Sequence, residues 1–242
     1  MQNVDSINRF YDILQILENK VGECKRLSEC DGDMNWPKRG VYFFFERGEM
    51  RNQGSRMRVV RVGTHALKRN SRTTLWDRLR AHRGTPDGER AGGGNHRGSI
   101  FRLHVGTSIL KKEGLEKQYA TWGVGSSAKK RIRDLEYPVE KKVSDYVGFM
   151  PFLWLEVDDA PGPQSERAYI ERNSNAILSN CNKLETESAV DPPSDSWLGR
   201  CCRNAMVRES GLWNVDHVAE THVDSSFLEK LENLVQNMSP KV

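Results

Sequence analysis

Apolar residues recur along the chain at two periods, one helical and one extended. Ile7, Phe10, Leu14, Leu17 and Val21 fall at helical spacing, with Asp5 or Ser6 available as N-cap. Two short β-branched and aromatic runs follow, Gly40–Glu46 and Arg58–His65, separated by a polar stretch holding Gly48 and Gly54. They read as antiparallel strands joined by a loop. A helix is predicted over Thr74–Arg83, then a glycine-rich loop over 84–95. Ser99 opens a segment with Ile100, Leu103, Thr107 and Leu110 at helical spacing, closed by Gly114, although a strand over 100–105 fits too. Residues 128–147 predict two short helices separated at Pro138, the second carrying Val139, Val143 and Tyr146. Pro151–Val157 is a third strand, and a helix should run from about Ser165 to Leu178. After Asp191-Pro192-Pro193, helices are predicted near Trp197–Arg208, capped by Gly211, and over Ser225–Met238 behind an Asp224 cap.

This order predicts an α/β fold: a small three-stranded sheet, mixed or antiparallel, flanked by helices, with a helical insertion and a helical C-terminal extension. The divisions fall at 1–37 for an N-terminal helix docking on the core, 38–183 for the core with an insertion over 84–148, and 190–242 for the extension. A chain of 242 residues can bury a core of that size. Its longest apolar runs, Val41–Phe45 and Met150–Leu155, are too short to cross a bilayer. Met1 to Asp5 show no basic stretch leading into an apolar one, so a cytoplasmic protein without a membrane partner is expected. Cys24, Cys30, Cys181, Cys201 and Cys202 lack the spacing of a zinc site and are expected to be reduced thiols.

Charge sharpens the picture. Between Arg47 and Lys112 there are 16 Lys and Arg against 4 Asp and Glu, a local +12, which leaves −8 for the rest of a chain of net charge +4. A basic block on an acidic remainder suits a polyphosphate partner. Gly92-Gly93-Gly94 lack the spacing and setting of a phosphate-cradling loop.

Gly40-Val41-Tyr42 on one strand, Arg61-Val62-Gly63 on the next, and an arginine-bearing helix after them resemble the core of the GIY-YIG nuclease family over roughly residues 38–183. The R-x-x-x-H of Arg78 and His82 is similar to the restriction-endonuclease branch of that family, and four-residue spacing puts both on one helix face. The resemblance implies hydrolysis of a DNA phosphodiester, with double-stranded DNA as substrate and a single Mg2+ or Mn2+ as cofactor. It implies that Tyr42 positions or deprotonates the attacking water, that Arg78 grips phosphate, with His82 beside it, and that Glu171 holds the metal. Gly63 matches a family glycine beside the site. Arg61 departs from the pattern, which has tyrosine there. A guanidinium is no general base near neutral pH, though it can hold a phosphate. His65, two residues past the glycine, is the nearest substitute because imidazole titrates near neutrality.

Several alternatives accompany these assignments. Glu166 competes with Glu171, but five residues is about 140° on a helix, so only one can face the site. Asn180 and Asn182 are near the spacing of a family asparagine, and neither fits cleanly. Arg61, Arg69, Arg80, Arg83, His96 and Arg97 are the candidates for contact with the nucleic-acid backbone, although Arg80 lies about 200° around the helix from Arg78. His217 and His222 are five apart and make a poor metal pair, and Trp197 and Trp213 read as packing residues. The rival readings are a GIY-YIG-like module that binds nucleic acid without cutting it, and a regulatory protein whose basic face binds an acidic partner.

Overall fold

The computed structural model describes residues 4–51, 56–181 and 191–240. Four strands form one antiparallel sheet in the order β1-β4-β2-β3: β1 (Lys25–Arg26), β2 (Gly40–Met50), β3 (Met57–Gly63) and β4 (Pro151–Glu156). The three strong strands of the sequence pattern are present. The fourth, β1, pairs only Lys25 and Arg26 with Phe152 and Pro151. Two residues are too few to carry an alternating pattern, so the expected three-stranded sheet is one strand short.

Seven helices surround the sheet among the described residues: α1 (Val4–Val21), α2 (Leu75–Arg83), α3 (Ile100–Glu113), α4 (Lys130–Gly148), α5 (Glu166–Leu178), α6 (Ala205–Ser210) and α7 (Phe227–Asn237). Strand alternation gives the sheet two apolar faces. Phe43 meets Phe10 of α1, which in turn stacks on Phe227 of α7. On the other face Phe44 meets Phe101 of α3 and His82 of α2. The segment 100–105 is helical rather than extended, its Ser99 side chain accepting from the Arg102 backbone N–H as an N-cap. A reciprocal Thr74–Asp77 capping box starts α2.

Two predicted helical stretches come out differently. α4 runs unbroken through Pro138 instead of splitting there. Glu136 and Glu140 are buried in ion pairs, and Val139, Val143 and Val147 in the core, so tertiary contacts on both sides hold the helix against the proline. The predicted 197–208 helix is instead a 3-10 turn (Leu198–Cys201) and α6, separated because Asn204 caps the second piece. Gly211 ends α6 in the left-handed conformation, as expected of a C-cap.

Much of the basic block is internal scaffold. Arg97 forms a bidentate pair with Glu136 at 2.6 and 2.9 Å, and Arg102 donates twice to one oxygen of Glu140, at 3.0 and 2.6 Å. Arg58 pairs with Glu49, and Arg51 with Asp191 and Asn8. The first two pairs hold α4 to the segment 96–113 within the insertion, Arg58–Glu49 joins β3 to β2, and Arg51 ties the end of β2 to Asp191 and α1. The surface available to a polyphosphate is correspondingly smaller than the sequence count suggests.

The outer edge of β3 is covered by the chain after α6. Trp213 N–H donates to the Val60 carbonyl at 2.7 Å, and the Asn214 side chain takes Val62 N–H and donates to Val62 O, at 3.1 and 2.7 Å. Both backbone groups of an edge residue are thereby satisfied.

Glu140 accepts from Arg102 and from both the backbone and ring of His96, so it joins three segments. Glu140→Gln leaves the Arg102 guanidinium buried without a counter-charge. It should lower unfolding free energy by about 3–5 kcal/mol, measured by urea denaturation; a loss near zero would contradict this anchoring role.

Candidate active site

Register builds the site. Tyr42 stands opposite Gly63 on one side and Trp154 on the other, and Phe44 stands opposite Arg61 and Phe152. Residues directly paired across antiparallel strands share a face, so Tyr42, Arg61 and Gly63 all point toward α2 and α3. A Cβ on Gly63 would lie 2.3 Å from the Tyr42 hydroxyl oxygen. The glycine is required for the space the phenol fills, rather than for a turn in the chain.

The Tyr42 hydroxyl lies 2.9 Å from His82 Nε2, and His82 Nδ1 lies 2.8 Å from Ser99 Oγ. Burial, with Arg78, Arg61 and Arg102 nearby, pushes the His82 imidazole well below the usual histidine range. It is therefore neutral at physiological pH, with one nitrogen free to accept. Arg61 and Arg78 both lie near enough to the phenol to feel its charge. Arg61 also donates to the Trp213 carbonyl and lies 4.7 Å over the Phe101 ring. Burial draws its guanidinium down from the ordinary arginine value, whereas the phenol, followed by Glu171, holds Arg78 up. The Nε groups of both arginines are buried and without a partner.

Glu171, on α5, completes the cluster. Burial raises its carboxyl above the usual range, while Arg61, His217, the Thr64 backbone N–H and Arg78 draw it back. The phenol, two guanidiniums and carboxylate thus converge from β2, β3, α2 and α5. Glu166, the competitor, is exposed on the first turn of α5. Among the described residues there is no set of three or more His, Cys, Asp or Glu side chains arranged to hold a metal. A single carboxylate still fits Mg2+ or Mn2+, which keeps several waters and meets substrate phosphate directly. The raised proton affinity of Glu171 marks a carboxylate whose charge is incompletely compensated, and the orphaned Nε groups beside it suit an arriving anion.

Other expected residues are placed differently. His65 is buried, with both ring nitrogens unpartnered; the nearby Lys38 carbonyl is taken by Leu75 N–H. Burial, then Arg167, lowers its pKa to about 4, so it does not offer the near-neutral base expected of it. Arg61 is 4% exposed, which removes it from the nucleic-acid-facing surface. His96 is enclosed between Glu140 and Trp122, its ring stacked 3.8 Å from the indole, and Gly123 N–H donates to its Nε2. Arg97 is locked on Glu136, so neither is a backbone contact. Arg69 is exposed between β3 and α2, beside the exposed Lys68 and Arg72, and Arg83 is half-buried on the last turn of α2. Arg80 faces a cavity of about 780 Å3 between α2, the 84–98 loop and α4. That cavity mixes Arg90 and Arg133 with Asp87 and Glu89, and none of Tyr42, Arg61, Arg78 and Glu171 lines it. We place the chemistry at the cluster because its titratable groups converge there. Asn180 donates to the Ser210 carbonyl and holds the chain after α6; Asn182 lies outside the described residues.

Sequence reasoning missed Ser99 as the partner of His82, the carbonyl of Trp213 behind Arg61, and His217 beside Glu171. Only Ser99 carried a signal, as the N-cap of a predicted helix. The others come from a segment separated from the cluster by many tens of residues.

Two measurements probe this geometry. Gly63→Ala should cost about 1–3 kcal/mol of stability and displace the phenol, read by chemical denaturation; an unchanged midpoint would contradict the close approach. His65 and His104 both have pKa values lowered to about 4, chiefly by burial. Unfolded histidines take protons near 6.5, so the unfolded state binds more protons as pH falls and stability drops with it. Between about pH 6.5 and pH 4 the loss should approach about 3 kcal/mol for each ring, and flat stability over that window would refute their neutral burial.

A family model described as "GIY-YIG domain" matches residues 1–241. No curated protein and no solved structure matches the chain.

Proposed function

The chain belongs to the GIY-YIG family, and we propose that it is a metal-dependent endonuclease hydrolysing phosphodiester bonds of double-stranded DNA. The observation that carries this reading is the convergence of Tyr42, Arg78 and Glu171, distant in sequence, with His82 bonded to the phenol. The family match extends across α1 and the residues after α5. Among the described residues no helix is long and apolar enough to cross a membrane.

Phosphodiester hydrolysis needs an activated water and neutralisation of charge on the transferring phosphorus group. The phenol of Tyr42 supplies the first. Its hydroxyl donates to His82 Nε2, while His82 Nδ1–H is held by Ser99 Oγ, which orients the phenolic oxygen toward the water. Burial among arginines keeps the imidazole neutral and so able to accept that hydrogen bond. Arg61 and Arg78 lie beside the phenol, and Arg78, the less buried of the two, would hold the phosphate. Arg61 does not replace the family tyrosine as a base; held by the Trp213 carbonyl and the Phe101 ring, it keeps a positive charge near Tyr42. Glu171 would hold a Mg2+ or Mn2+ ion, which supplies Lewis acidity to the phosphate and the leaving oxygen. Lys68, Arg69 and Arg72, exposed on the loop between β3 and α2, are the cations best placed to meet the flanking backbone.

Incubation with plasmid and Mg2+ or Mn2+ tests the proposal. Tyr42→Phe and Glu171→Gln should each reduce nicking by about 10²-fold or more, with binding to duplex DNA retained. Salt-sensitive binding without nicking by the native protein would instead support a non-cleaving module, the reading that Arg61 in place of tyrosine favours. Absence of both activities would overturn the nucleic-acid reading.

A further inference from the structure

The segment after α6 runs along α5 on the side that carries Glu171. Asn175, one turn beyond Glu171 and on the same face, donates through Nδ2 to the Asp216 carbonyl at 3.5 Å. Arg172, adjacent to Glu171, pairs with Glu220 at 3.6 Å, and Ser179 donates to the Val218 carbonyl. His217 therefore sits against the Glu171 turn of the helix, near enough to act on that carboxylate.

The histidine is built for a purpose that a surface ion pair does not explain. Its backbone is left-handed, with φ 61°, a conformation that costs a non-glycine residue energy. Its Nδ1 is 2.5 Å from Glu220 Oε1, and its side chain is 29% exposed, so Nε2 is left for another partner. A carboxylate on one ring nitrogen and a free second nitrogen is the arrangement that orients metal-binding histidines. A second observation points the same way: Asn175 Oδ1 is fully buried and has no donor. A cation or its bound water would satisfy it.

We propose that His217, oriented by Glu220, is a second protein ligand of the divalent ion held by Glu171, with Asn175 Oδ1 as a neutral oxygen at the same site. This rests on the reading of Glu171 given above. An imidazole in the ligand set shifts preference from Mg2+, a hard ion suited to oxygen, toward Mn2+ and related transition metals. The C-terminal region would then supply part of the metal site and set which metal is used.

Mn2+ binding measured by calorimetry and electron spin resonance tests this, using the full chain alone and with a non-cleavable phosphorothioate duplex. In the native protein the bound Mn2+ should show coupling to a directly bonded nitrogen. His217→Asn, a residue tolerant of the left-handed backbone, should abolish that coupling and weaken Mn2+ by about tenfold or more, with Mg2+ little changed. Glu220→Gln should keep the nitrogen but weaken Mn2+ by a smaller factor. Unchanged Mn2+ affinity in folded His217→Asn, or no nitrogen coupling in the native protein, overturns the proposal. Glu171→Gln separates the two levels: if it loses Mn2+ while His217→Asn does not, only the histidine is wrong. If Glu171→Gln binds Mn2+ as the native protein does, or the native protein binds none in either form, the assignment of Glu171 falls as well.

Discussion

The site depends on one steric constraint, the packing of the Tyr42 ring over a residue with no side chain. Because the ring occupies the place where a Cβ of Gly63 would stand, the β2–β3 pairing is fixed to the residue. A slip by one position would send Tyr42 to the face occupied by Phe10 and bring Phe43 against α2. The same register carries Arg61 to the phenol side and leaves Val62 on the other. Charge follows from shape here: the imidazole meets the Tyr42 hydroxyl, with two guanidiniums nearby, because the strand register sets their places.

Around that constraint the insertion acts as a brace. Arg102 donates to the His82 carbonyl as well as to Glu140, so the end of α2 is held by α3 and α4 together. Ser99 caps α3 and simultaneously faces His82, which couples the start of one helix to the hydrogen-bond-accepting ring on another. Breaking buried ion pairs of this kind by removing one partner is costly, so the insertion is part of the machinery that keeps the imidazole in place.

Long periodic elements were legible in the sequence: α1, α2, α5, α7 and the three longer strands follow directly from apolar spacing and caps. Pro138 misled because propensity speaks for an isolated helix, whereas α4 is held by buried Glu136 and Glu140 on either side. The positions of Tyr42, Arg78, His82 and Glu171 could be anticipated from local motifs, since each sits at a fixed place in its own element. The fates of His96 and Arg97 could not. Their partners Glu140 and Glu136 lie some forty residues away, and charge counting cannot distinguish a solvated cation from one in a buried pair. His65 failed for a related reason, since its neighbours in space and its burial set its titration, and its neighbours in sequence do not. His217 was invisible because a histidine in a loop has no periodicity to betray which helix it lies against.

The covered edge of β3 carries a consequence for how the protein matures. A ribosome delivers the chain from the N-terminus, so both strands of the β2–β3 pair and α5 emerge well before Trp213 and Asn214. Until then the guanidinium of Arg61 lacks its carbonyl acceptor, and the amide of Val62 lacks the side chain that later seals it. An unfinished chain holds the pieces of the Tyr42 cluster without the clamp that aligns them, and it presents an open strand to its neighbours. Assembly order thus withholds the aligned cluster until Trp213 and Asn214 have been made, and the nascent intermediate carries an unpaired strand edge until then.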